Sequence, residues 1–209
     1  MLQILSVNVG EAVPFEHTTP KVTGIFKKPR AEPVHIGLYG LEGDAICDLK
    51  HHGGLDQAVY LYGQPDYDFW SAELGRQLEP GTFGENLTIA NLESAKVNLG
   101  DRFTLGTLVM EVNSPRIPCR TFAARMDDKY FAKKFLAANR PGIYCRVLDE
   151  GPVQKGDVLT YLPFAGEQVS IIEMNENWNR KDLEPHEVQR FLATPIHHKF
   201  RQDWEGRTV

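Results

Sequence analysis

Apolar positions recur in short runs along the first three-quarters of the chain, interleaved with polar residues and separated by glycine or proline. Alternating or β-branched runs occupy Leu2–Val9, Val22–Phe26, Val34–Leu38, Ala58–Tyr62, Asn86–Ile89, Arg102–Leu105, Thr107–Val112, Ile143–Val147 and Asp157–Leu162. Turn chemistry lies between them: Gly-Asp at 43–44, 100–101 and 156–157, Gly-Gly at 53–54, and Pro-Gly at 80–81 and 141–142. Glycine reaches positive φ without steric cost, and aspartate bonds its own downstream backbone. Many short strands at this spacing predict a mainly β barrel or sandwich rather than a parallel sheet.

The period becomes helical in a few places. Pro65 opens one helix, with Tyr67, Trp70 and Leu74 at i, i+3 and i+7. A second is expected from Asp127 or Asp128, either of which can cap it. Tyr130, Phe131, Phe135 and Ala138 line one face, and Pro141 ends it. Pro118 suits the first turn of a short helix continuing through Thr121–Met126. After Pro163 the pattern is helix-rich, with Val169–Asn177, Glu184–Ala193 and His197–Asp203 as candidates. The chain therefore divides into a β-rich domain, residues 1–163, and a helical module, residues 164–209. A module of ~45 residues lies near the lower limit for folding alone. It is expected to pack on the β-rich domain or on a second copy, as in a homodimer.

Composition adds exclusions. With 42% hydrophobic and 24% charged residues in 209, collagenous and largely disordered classes are out. A net charge of −5 argues against general nucleic-acid binding, which rests on neutralising phosphates. Three cysteines, Cys47, Cys119 and Cys145, cannot all pair within one chain. Reduced thiols suit the cytoplasm, and no apolar run approaches the ~18 residues of a membrane span. A cytoplasmic protein without membrane association is the expectation.

Four clusters could carry chemistry. The densest runs from Glu42 to Asp56 and includes Asp44, Cys47, Asp48, His51, His52, Gly53 and Gly54. It can serve a metal, an anion or proton transfer, and the Gly pair suits close approach of backbone to a ligand. Its spacing matches no common zinc motif. A loop with Gly84, Glu85 and Asn86 offers backbone N–H groups and an amide to a polar ligand. Glycine turns entering a strand are equally common without any ligand. In the third cluster Cys119 follows Pro118 at a predicted helix start, with Pro115, Arg116 and Arg120 beside it. The helix dipole and the guanidinium charges favour a thiolate there, although most free cysteines are inert and buried. Arg140 and Arg146 form a fourth set able to clamp a phosphate or merely to pair on the surface.

Taken in order, Gly43-Asp44, His52-Gly-Gly-Leu-Asp56-Gln-Ala-Val, Phe83-Gly84-Glu85-Asn86-Leu87, Gly100-Asp101-Arg-Phe and Pro115-Arg116-Ile-Pro118-Cys119 resemble the MOSC family, named for the molybdenum cofactor sulfurase C-terminal domain. The resemblance is closest to the short stand-alone bacterial YiiM-type branch and spans about residues 25–163. It implies a closed β-barrel of the pyruvate-kinase type that binds a molybdopterin-type molybdenum cofactor, with Cys119 as the protein sulfur on molybdenum. It also implies reduction of N-hydroxylated compounds, such as hydroxylaminopurine bases, to amines, which detoxifies them. The family label is further associated with pyridoxal phosphate, although no lysine here has a specific Schiff-base signature. The branch leads one to expect Gln near Ile46 and a small residue near Cys47, so Cys47 is a departure.

The implied cofactor site is Gly53, Gly54, Gly84, Glu85, Asn86, Pro115, Arg116, Arg120, Arg140 and Arg146, with His51 or His52 relaying a proton to the departing water. No flavin or iron–sulfur motif is present, so the enzyme reading needs an electron-donating partner reductase. Two alternatives stand beside it. One is a carrier that delivers molybdopterin or sulfane sulfur through Cys119 without turnover; the other is a partner-binding barrel.

Overall fold

The computed structural model describes residues 1–18 and 21–206. Seven strands close into a barrel in the order β13 (Val158–Leu162), β9 (Arg102–Leu105), β10 (Leu108–Pro115), β11 (Ile143–Asp149), β7 (Val59–Gly63), β8 (Leu87–Ile89) and β1 (Leu2–Val9). The β1–β13 pair shuts it, with Leu2 opposite Leu159 and Gln3 opposite Val158. Closure leaves no free edge inside the ring. All neighbours run antiparallel except β7 and β8, with Leu61 opposite Leu87. A parallel pair needs a long crossover, and helix α1 (Gln64–Glu73) lies within it.

Short ribbons decorate the ring. They are β2 (Val13–Pro14) with β3 (Val22–Thr23), β4 (Lys28–Pro29) on the end of β1, and β5 (Val34–Gly37) between β6 (Gly40–Leu41) and β12 (Gly151–Val153). The expected strand Val22–Phe26 stops at Thr23, so Gly24 and Ile25 are free to line a cavity.

Strand β7 is apolar throughout because both of its faces are buried. Val59 and Leu61 join the barrel core, with Ile4, Ile89, Phe103, Met110, Val112, Ile143 and Cys145. Tyr60 and Tyr62 face outward into a second, aromatic cluster. That cluster contains Trp70 from α1, Phe83, Phe122 from α2 (Arg120–Arg125), and Phe131 and Phe135 from α3 (Phe131–Ala138). The hydroxyls of the two tyrosines are satisfied: Tyr60 donates to the Pro141 carbonyl at 2.8 Å and Tyr62 to that of Arg140 at 3.0 Å. Helix α3 begins later than the aspartates suggest. Asp127 sits at φ +53° after α2, and Asp128 accepts from the Tyr130 N–H at 2.8 Å.

The helices α4 (Ile171–Asn177), α5 (Pro185–Leu192) and α6 (His198–Glu205) fall within a residue or two of their predicted spans. Ser170 caps α4 through the Glu173 N–H, and a Glu184/Glu187 capping box starts α5. Their buried side chains, among them Val169, Met174, Val188, Phe191 and Trp204, share one core with the barrel. Backbone bonds add to this: Leu99 N–H to Val169 O, Ile171 N–H to Val97 O, and His197 N–H to Asn113 O. The segment packs on the barrel of its own chain. No described helix is long and apolar enough to cross a membrane.

Candidate active site

Tyr60 and Tyr144 stand opposite each other on β7 and β11, and their rings meet at 4.9 Å. Above them lies a cavity of about 110 Å³. Its lining brings together His52, Gly53, Gly84, Asn86, Arg116 and Cys119 from three distant stretches of sequence. It also includes Lys27, Asp44, Cys47, Gln57, Tyr60 and Tyr144.

Cys119 is the N-cap of α2 and is partly buried. Burial alone would raise its pKa. The His52 hydrogen bond, the Arg116 charge, the His52 imidazole and the Phe122 backbone N–H outweigh burial and bring it from 9.0 down to about 6. The other two thiols differ. Burial pushes Cys145 far up, with Glu111 adding to the effect. Cys47 is also raised, first by burial and then by Asp44.

Arg116 is buried against two aromatic faces, its Cζ 5.0 Å from the Tyr60 ring centre and 4.2 Å from that of Phe122. It donates to the Phe83 carbonyl, and Arg125 donates to the carbonyls of Thr82 at 2.6 Å and Gly81 at 3.0 Å. Arg116, ahead of α2, and Arg125, at its end, clamp the Gly81–Gly84 loop along the helix. Burial pulls the Arg116 pKa down, but Tyr60, Tyr144 and Cys119 more than restore it, so the guanidinium stays charged.

Asp44 is the hub of the opposite wall. Its carboxylate pairs with Lys27, accepts from the Gly10 N–H at 2.7 Å, and accepts from the Asn86 amide at 2.9 Å. Burial lowers the Lys27 pKa even though Asp44 opposes the shift. Gly53 and Gly84 have φ of +76° and +72°. A Cβ on Gly84 would sit 3.1 Å from Ile25 and 3.6 Å from Arg116, inside the cradle.

Several expected site residues are elsewhere. Glu85 is fully buried beneath the loop, accepting from Tyr67 Oη at 2.5 Å, the Gly81 N–H at 2.7 Å and Thr88 Oγ1 at 2.7 Å. Its carboxylate shapes the loop and is absent from the cavity lining. Asn86 lines the cavity, but its amide is committed to Asp44 and to the Tyr60 N–H. Gly54 is exposed at φ +80° and starts the 3-10 turn Leu55–Gln57. Arg120 points to solvent from the first position of α2. Arg140 pairs with Asp66 at 2.7 Å and lies over the Phe69 ring. Arg146 pairs with Asp56 at 2.8 Å and donates to the carbonyls of Pro195 and Ile196, tying the barrel to the helical segment. Neither arginine reaches the cavity. His51 is exposed, bound to Asp48 at 2.9 Å, and borders a neighbouring cavity together with Pro115.

Lys27, Tyr60, Tyr144 and Gln57 were not expected in the site. Tyr60 had one usable signal: Val59–Gly63 has no polar face, so its alternate residues must be covered on the outer side as well. Lys27 carries no such signal.

A family model for the MOSC domain matches residues 48–160, more than half of the chain. The chain belongs to the MOSC family. YflK of Bacillus subtilis is 38% identical over 169 residues, covering 80% of this chain and 76% of YflK. A protein of Gibberella moniliformis named Reductase is 32% identical over 144 residues, or 67% of this chain but only 26% of that longer protein. The crystal structure of YiiM from Geobacillus stearothermophilus superposes with a TM-score of 0.83 at 27% identity, with full coverage of both chains. The MOSC assignment and the YiiM structure bear out the closed barrel that the resemblance implied. Pyridoxal phosphate finds no support: Lys27, the lysine in the cavity, is held in an ion pair with Asp44.

Proposed function

We infer that this MOSC protein binds a molybdopterin-type molybdenum cofactor in the Cys119 cavity and reduces N-hydroxylated compounds to amines. The observation that carries the reading is a cavity thiol held down to about 6, next to a buried charged arginine. The donor set fits the group. A thiolate is a soft ligand of the kind molybdenum accepts. Arg116 and Lys27 supply cationic donors for a phosphate, and Gly53 and Gly84 leave room for backbone contact.

When bound, the cofactor supplies a two-electron reducing centre. The overall change is R–NHOH plus two electrons and two protons to R–NH2 plus water. Cys119 Sγ would hold the group, and Arg116 and Lys27 would supply cationic donors to its anionic end. His52, hydrogen-bonded to Cys119, holds a proton on its ring and gives it to the departing oxygen. Tyr60, buried, and Tyr144, half-buried, floor the cavity with their rings. The electrons come from a separate reductase. The resemblance to a fungal protein named Reductase supports the reaction class.

Metal analysis together with pterin fluorescence on freshly purified protein, expressed with abundant cofactor, tests the reading. One molybdenum and one pterin per chain are expected. Absence of both, or a persulfide on Cys119 in protein without turnover, would replace the reductase with a carrier or a binding module.

A further inference from the structure

The reduction takes up two protons, and His52 supplies one of them, to the departing oxygen. Breaking the N–O bond with two electrons leaves nitrogen as R–NH⁻, and a second proton must reach it before the amine exists. We propose that Tyr144 Oη donates this second proton, and that it is refilled from solvent through a second cavity on the other side of its ring. The proposal rests on the reductase reading above and deepens it.

Three observations lead there. The first is an unspent hydroxyl. Of the five tyrosines that are not exposed, four donate within the chain: Tyr60 to the Pro141 carbonyl, Tyr62 to that of Arg140, Tyr67 to Glu85 and Tyr161 to Asp101. Tyr144 Oη has no hydrogen-bond partner among the described residues. Its place on β11 accounts for this: Ile143 and Cys145 fill the barrel core, so Tyr144 turns outward, opposite Tyr60, into the cavity that holds Cys119. The second observation is a route for protons. His52, Gln57 and Tyr144 also line a second cavity of about 240 Å³, room for several waters at ~30 Å³ each. Ser114, His51 and Lys199 give such waters polar partners, and the last two are exposed, so the cavity meets solvent. The third is a counter-charge. Burial holds the Tyr144 hydroxyl protonated at rest, and the buried guanidinium of Arg116 acts in the opposite sense, as a partner for the tyrosinate left by donation.

The two acids divide the work by strength. An imidazolium suits the oxygen, which must leave as water, whereas R–NH⁻ is far more basic than a phenolate and takes its proton from a weak acid. The step balances: protonated His52, the Tyr144 hydroxyl, R–NHOH and two electrons give neutral His52, tyrosinate, R–NH2 and water. The electrons are those of the separate reductase, and two protons from the second cavity restore both residues. The test uses the full-length protein loaded with cofactor, with reduced methyl viologen supplying electrons so that no partner limits the rate. Parent and Tyr144→Phe, which removes one oxygen and keeps the ring against Tyr60, are compared on 6-hydroxylaminopurine. In Tyr144→Phe kcat should fall about a hundredfold, the low end of what a positioned acid contributes, with KM within about twofold of the parent's. Its molybdenum and pterin per chain and its circular dichroism should match the parent's. 3-Fluorotyrosine at position 144 keeps the donor and should hold kcat within about threefold. An unchanged kcat in Tyr144→Phe would overturn the proposal and leave the reductase reading standing. So would a raised KM with unchanged kcat, because the hydroxyl would then bind substrate without donating a proton. Loss of pterin from Tyr144→Phe would overturn it by assigning the hydroxyl to cofactor retention. No turnover by the fully loaded parent would sink the reductase reading and this role with it.

Discussion

Substituting His52 with Leu, which carries no donor, should raise the pKa of Cys119 by a readable amount. The thiol is brought from 9.0 to about 6, which corresponds to ~4 kcal/mol of preference for the thiolate. The His52 hydrogen bond is the largest contribution that opposes burial. A hydrogen bond to a charged group is worth ~1.5–3 kcal/mol, or about one to two pH units. In His52→Leu the midpoint should therefore lie between about 7 and 8, with Arg116 holding the remainder. The assay is the iodoacetamide alkylation rate of Cys119 against pH, read by peptide mass spectrometry in a Cys47→Ser background. Cys145 provides an internal reference and should stay unreactive while the protein is folded, because burial keeps it neutral. A wild-type midpoint near 9, or the same midpoint in His52→Leu, would refute the electrostatic account of the thiolate.

Four further outcomes follow from the same geometry. Arg116→Ala should lose pterin on gel filtration while Arg180→Ala, whose guanidinium pairs with Asp182, retains it; equal retention would count against the cavity as the cofactor site. Asp44→Asn removes the partner of buried Lys27 and should lower unfolding free energy by ~3–5 kcal/mol in urea titration, because an uncompensated buried charge remains. Phe191→Ala, deleting a ring 4.6 Å from that of Trp204 in the shared core, should cost ~3–5 kcal/mol in one cooperative transition; a separate early transition would show that the helical segment unfolds independently of the barrel. His197 is held at about 4, below the ordinary 6.5, chiefly by burial, so it is neutral when folded and takes a proton on unfolding. Its contribution is full above pH 6.5 and is lost as pH falls toward 4, so the urea midpoint should drop across that window and drop less in His197→Asn.

Much of this architecture was legible because its periods are local. Leu2–Val9 and Arg102–Leu105 match the observed strands to the residue, and Pro185 with Glu184 marks the start of α5. Cys119 was legible for a similar reason: Pro118, the helix start and Arg116 all lie within a few residues of it. Long-range pairing was not. Arg140 and Arg146 resemble Arg116 in sequence but are claimed by Asp66 and Asp56, which lie 74 and 90 positions away. Glu85 sits in a glycine loop that looks like a ligand cradle, yet its carboxylate turns inward to bind the loop's own N–H and the Tyr67 hydroxyl. Lys27 enters the site because a two-residue ribbon ends at Thr23 and the chain then crosses the cavity, which no period along the sequence encodes.

The central claim is that Cys119 Sγ is the protein ligand to molybdenum in a reductase. X-ray absorption at the molybdenum edge, on cofactor-loaded wild-type protein and on Cys119→Ser, tests it most directly when read beside turnover of 6-hydroxylaminopurine. The account predicts that the variant loses one sulfur scatterer and its turnover together while its circular dichroism is unchanged, since sulfur to oxygen hardly alters side-chain volume. Identical sulfur counts, or full turnover in Cys119→Ser, would contradict it.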